Sequence, residues 1–189
     1  MKIHLAQINP IVGDLKGNAT KILNIASQAY KNSSDLVITP ELSLWGYPPK
    51  DLLFKNNLIN KQNHILDELA KSTAKNFGDL GIILGIAEKI EDPFFPNLFN
   101  SIVLIEKGKW SIIARKIILP TYEVFDETRY FRSENKVAIL TKKHKNKKWK
   151  IGITICEDLW VNHDIDGRGI HKKNPINDLE KKGIDFLIN

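Results

Sequence analysis

A carboxylate, an ammonium and a thiol each stand at the end of a separate apolar run in this chain. Glu41 follows Ile38-Thr39-Pro40, Lys116 follows Ile112-Ile113-Ala114-Arg115, and Cys156 follows Ile151-Gly152-Ile153-Thr154-Ile155. A thiolate is a strong nucleophile, a carboxylate can take the thiol proton, and an ammonium can face developing negative charge. Taken singly, each has an ordinary reading. A lone cysteine is often a small buried hydrophobe, and a glutamate or lysine beside a strand usually meets solvent. Together, at strand ends that would converge along one sheet edge, they point to covalent catalysis at Cys156.

Strands and helices must position them. Lys2 to Ile8 alternates and reads as a first strand, and Asn18 can cap a helix running to about Lys31. Leu36-Val37-Ile38 is a short buried strand ended by Pro40. Asn57 to Asn76 has helical spacing, and Ile82 to Ile86 reads as another buried strand. Leu98 to Ile105 and Trp110 to Ile113 form a hairpin turning at Gly108. Residues 120–135 are irregular. Two further strands end at Cys156; a polar loop, a helix near Pro175 to Lys182 and a strand from Ile184 to Ile188 follow. The order β-α-β-α-β-β-β-β-β-α-β predicts an α/β fold with a mixed sheet and helices outside, in one domain spanning residues 1–189. A last strand with nothing after it leaves a sheet edge uncovered, which suggests a piece of a longer protein.

Composition narrows the function classes. The chain has 189 residues and a net charge of +6, but Lys142 to Lys150 holds six lysines and no acid, so the remainder is neutral. That segment reads as a solvated hairpin tip, and with Trp149 its sole aromatic a nucleic-acid partner is not expected. One cysteine rules out an intrachain disulfide and suits a reducing cytoplasm. No run approaches the roughly 20 apolar residues that span a membrane. Gly81 and Gly85 form no dinucleotide loop, and no phosphate loop, paired-cysteine zinc spacing or Gly-x-Ser-x-Gly elbow occurs. His163-Asp164-x-Asp166 reads as a polar loop, so no metal is expected.

The three regions resemble the nitrilase-type carbon–nitrogen hydrolase superfamily, whose triad is glutamate, lysine and cysteine in that order. Pro40-Glu41-Leu42, Arg115-Lys116-Ile117-Ile118-Leu119-Pro120 and Ile155-Cys156-Glu157-Asp158-Leu159-Trp160 carry the likeness. Leu44 to Leu53 and Lys116 to Phe131 are similar, more finely, to glutaminase domains of glutamine-dependent NAD+ synthetases. The resemblance implies an α-β-β-α sandwich, incomplete at its C-terminal end. It implies that Glu41 is the general base, Cys156 the nucleophile and Lys116 the cation facing the oxyanion.

It further implies a glutamine pocket lined by Tyr47, Tyr122 and Glu157, with Glu127, or else Glu123, holding Lys116. Glutamine would be hydrolysed to glutamate and ammonia with no cofactor in this domain. ATP and Mg2+ would serve a synthetase domain further along, and a homo-oligomer is expected. Two other readings stay open. One is an amidase of the same superfamily with another amide or nitrile substrate; the other is a non-catalytic module using the lysine segment.

Overall fold

The computed structural model describes residues 1–161 and 173–189. Among these the elements follow the predicted order, interspersed with short 3-10 turns. The chain divides into two compact units: Met1–Lys89 with Asn100–Ile112, and Ile90–Phe99 with Ile113–Asn189.

The first unit is built on β1 (Ile3–Leu5), α1 (Leu15–Lys31), β2 (Leu36–Ile38), α2 (Asn56–Phe77) and β3 (Gly81–Lys89). Its sheet runs on through β4 (Leu98–Glu106) and β5 (Lys109–Arg115), in the order β1-β2-β3-β4-β5. The first three strands are parallel, with Ile3 opposite Leu36 and Leu36 opposite Gly81. β3 lies in the middle, and every residue from Gly81 to Ala87 is buried, which is why its sequence is continuously apolar rather than alternating. Lys107 and Gly108 join β4 to β5 with φ of 50° and 76°, the left-handed pair that a two-residue hairpin turn requires.

Two expectations need correction here. β1 stops at Leu5 rather than Ile8, because the chain turns back on itself where Ile8 N–H bonds to Ala6 O at 3.1 Å. Asp14, not Asn18, caps α1: its carboxylate accepts from Gly17 N–H at 2.9 Å. Asn18 lies inside the helix, fully buried, where its amide donates to Ile11 O and Leu44 O and accepts from Ile11 N–H. Three tertiary bonds outweigh the local preference of asparagine for a helix end.

Helices α1 and α2 pack together, and each buries one face, including Leu15, Ile22 and Ala26 on α1 and Ile59, Leu66 and Leu69 on α2. The fully buried Trp45 donates its indole N–H to Oε1 of Gln62 on α2 at 2.6 Å. Gln62 in turn exchanges two bonds with the Ala87 backbone, so this buried amide is satisfied on both sides.

The second unit holds β6 (Ala138–His144), β7 (Lys147–Ile153), α3 (Pro175–Lys181) and β8 (Phe186–Ile188). Its sheet has the order β6-β7-β8, antiparallel then parallel, so the fold is α/β with mixed sheets. The lysine segment is the end of the β6–β7 hairpin, as expected, with the strands reaching further into it. Only Lys145 and Asn146 lie between paired strands; Lys142 and Lys143 sit on β6, and Lys147, Lys148 and Lys150 on β7. Lys147 finds Asp185 at 3.0 Å and lies 3.7 Å over the Trp149 ring. Among the described residues no helix is long and apolar enough to cross a membrane.

Candidate active site

Glu41 belongs to the first unit, in a tight turn after β2. Ser43 N–H bonds to Pro40 O, Trp45 and Gly46 N–H both bond to Leu42 O, and Leu42 adopts φ 47°. The turn lies directly on β3. Leu44 N–H reaches Gly85 O, and a Cβ on Gly85 would stand 2.4 Å from Leu42 N and 3.1 Å from the Glu41 carbonyl carbon. Only glycine permits that approach. Asn100, 1% exposed on β4, donates from Nδ2 to Glu41 Oε1 at 2.6 Å and so fixes one carboxylate oxygen. Tyr47 follows in the same unit, half-buried after Gly46, whose φ is 74°.

Lys116, Glu127, Tyr122, Cys156 and Glu157 belong to the second unit. Lys116 comes directly after β5 and is fully buried. Its ammonium donates to Glu127 Oε1 at 2.9 Å, whereas Glu123 is exposed. Glu127 is presented by a 3-10 turn, Glu127–Arg129, anchored by its N–H on Pro120 O at 3.1 Å. A lysine cannot be stripped of water so completely unless a charge or its equivalent replaces the solvent.

Cys156 opens a second 3-10 turn, Cys156–Leu159, three residues after β7 ends. Its thiol is exposed and its φ is 46°, a left-handed conformation that a residue with a Cβ avoids. Such strain, of order 1–3 kcal/mol, persists where the surroundings dictate it and concentrates at functional positions. Glu157 is buried beside it and accepts from the Tyr122 hydroxyl at 2.8 Å.

Asp158 completes this turn and was not singled out by sequence reasoning. It is 1% exposed, and both its oxygens are engaged. Oδ1 accepts from Ile117 N–H at 3.0 Å and Ile118 N–H at 2.7 Å, and Oδ2 from Ile155 N–H at 3.0 Å. Burial pushes its pKa up to about 6, while the three N–H donors and the Lys116 charge pull it down. Asn100 and Gly85 were missed as well. A signal for Asn100 existed: a polar amide amid the apolar run from Leu98 to Ile105 needs a buried partner.

Among the described residues no group of three or more His, Cys, Asp or Glu is placed to hold a metal ion. His163, Asp164 and Asp166 lie outside the described residues.

This architecture, with a buried lysine–glutamate pair and a strained exposed thiol, is that of a carbon–nitrogen hydrolase. Residues 2–165 match the family of that name, and the chain belongs to it. It is 40% identical over 187 residues to the glutamine-dependent NAD+ synthetase of Synechocystis sp., which covers 99% of this chain and 33% of that protein. The corresponding enzyme of Thermotoga maritima is 35% identical over 160 residues, 85% of this chain and 26% of the relative. The solved glutamine-dependent NAD+ synthetase of Acinetobacter baumannii superposes with a TM-score of 0.78 at 30% identity, over 98% of this chain and 31% of that one. An amidase of the nitrilase superfamily from Nesterenkonia shares the fold at 18% identity, TM-score 0.64, over 84% of this chain and 57% of its own. The chain thus spans about a third or less of the curated relatives' length.

Proposed function

We propose that this chain hydrolyses the side-chain amide of glutamine to glutamate and ammonia. Within the whole protein, the ammonia serves NAD+ synthesis. The observation that carries the reading is the water-free Lys116–Glu127 pair, in a chain alignable nearly end to end with a glutamine-dependent relative. A cation kept charged and immobile without solvent is what a developing oxyanion requires.

In this reading Glu41 takes the thiol proton as Cys156 Sγ bonds to the amide carbon. The carbonyl oxygen becomes an oxyanion, met by the Lys116 ammonium and the Glu157 backbone N–H. The carbon–nitrogen bond then breaks, and Glu41 gives its proton to the departing nitrogen, releasing ammonia and leaving a glutamyl thioester. Glu41 next deprotonates a water, whose oxygen displaces the sulfur and yields glutamate. Tyr47, Tyr122 and Glu157 hold the substrate, with the Glu157 carboxylate facing its ammonium. ATP and Mg2+ act in the synthetase domain rather than here.

Rapid quenching with glutamine followed by peptide mass spectrometry tests this. A glutamyl adduct on Cys156, absent in Cys156→Ala together with all glutamine turnover, is expected. Faster turnover of short aliphatic amides than of glutamine would instead assign a general amidase.

A further inference from the structure

The strands that frame Lys116 and Cys156 end before either residue. β5 stops at Arg115 and β7 at Ile153. The N–H groups of Ile117, Ile118 and Ile155 are therefore buried without a strand partner, and a buried N–H left unbonded is costly. One carboxylate answers all three. Asp158 Oδ1 takes the two donors that follow Lys116, and Oδ2 takes the donor that precedes Cys156. Neutral acceptors would satisfy the same donors without burying a charge, so economy of stability does not explain an aspartate here. A carboxylate is the side chain that offers two acceptor oxygens in one rigid plane with no donor between them.

We propose that Asp158 is a positioning residue that fixes the backbone after Lys116 against the turn presenting Cys156, holding cation and thiol in register for amide attack. The inference deepens the glutaminase reading and rests on it. Asparagine has only one acceptor oxygen. In Asp158→Asn its NH2 must oppose either Ile155 N–H or the Ile117 and Ile118 pair, releasing one arm of the clamp.

The test uses Asp158→Asn in the full chain, with three readouts. Hydrogen exchange follows the amides of Ile117, Ile118 and Ile155. Iodoacetamide labelling of Cys156, followed by intact mass, reads the thiol without substrate. Steady-state kinetics with glutamine separate kcat from KM. The expected result is lost protection on one arm, labelling slowed several-fold, and kcat lowered about 100-fold with KM within about twofold. A variant with faster exchange but unchanged labelling and kcat would overturn the proposal, leaving Asp158 a structural acceptor only. If the wild type does not turn over glutamine, the glutaminase reading fails, while labelling and exchange still decide the role of Asp158. If the variant does not fold, exchange in the wild type decides: the three amides opening together, as one protected set, supports the clamp, and fast exchange at any of them overturns it.

Discussion

Lys116 and Glu127 form an ion pair from which water is excluded: Nζ stands 2.9 Å from Oε1, and the side chains are 0% and 5% exposed. Each charge offsets part of the other's desolvation cost. Removing one partner of such a pair costs about 3–5 kcal/mol, whereas an apolar replacement of both can be nearly neutral. Glu127→Ala should therefore destabilise the chain by that amount in urea titrations. Lys116→Met with Glu127→Leu should recover most of the stability and none of the glutamine turnover. Equal stability of Glu127→Ala and wild type would contradict the pairing.

Asn100 holds Glu41 by a single bond of 2.6 Å. Asn100→Leu removes the donor and keeps a comparable volume in a buried site. The expected outcome is a loss of about 1–3 kcal/mol and a fall in kcat of about tenfold or more, as for a misplaced general base. Steady-state kinetics beside thermal unfolding measure both; unchanged kcat would free Asn100 from any role at the carboxylate.

Gly85 admits the Glu41 turn onto β3. In Gly85→Ala the new methyl group would stand 2.4 Å from Leu42 N, so backbone rather than a flexible side chain must move. Overpacking of this kind costs about 1–3 kcal/mol. Here it displaces the residue after Glu41, so turnover should fall more than melting temperature alone would suggest. Gly78→Ala is the comparison: nothing lies within 4 Å of where its methyl group would stand, so its cost is the backbone strain of an alanine at φ 57° and turnover should fall no more than stability does.

The Asp158 carboxyl carries a pH signature. Burial raises its pKa from 3.8 to about 6, opposed by its three N–H donors. An acid with a higher pKa folded than unfolded binds its proton preferentially in the folded state. Its stabilising contribution is complete below pH 3.8 and is lost as pH rises through about 6, a span worth roughly 3 kcal/mol. The unfolding free energy of wild type, taken relative to Asp158→Asn, should fall across that window. A difference that stays flat with pH would show that the carboxyl does not titrate there.

Much of the fold was legible because its signals are local. The continuous apolar run of β3 announced a buried strand, and the 3.6-residue spacing of Ile65, Leu66, Leu69 and Ala70 announced α2. The three residues proposed for the chemistry stood out by their types at strand ends. The residues that brace them were not. Asp158 reaches back 41 positions to Ile117, Asn100 reaches back 59 to Glu41, and Gly85 acts by lacking a side chain. No pattern along the chain records which backbone N–H a strand end will leave unbonded. Asn18 failed in the same way: its local preference pointed to a cap, and tertiary bonds to Ile11 and Leu44 placed it inside the helix. The lysines marked the hairpin end correctly, but not how far its strands extend, because strands whose side chains meet solvent carry charges as readily as turns do.

The turn that presents Cys156 also carries an optical probe. Trp160 follows it directly and is 48% exposed, whereas Trp45 is sealed against Gln62 with no exposure at all. The two indoles should emit at different wavelengths, the solvated one to the red. A collisional quencher such as iodide would reach Trp160 and spare Trp45. With Trp110 and Trp149 replaced by phenylalanine, chemistry at the thiol can thus be followed by fluorescence, the sealed indole serving as the internal standard in the same molecule.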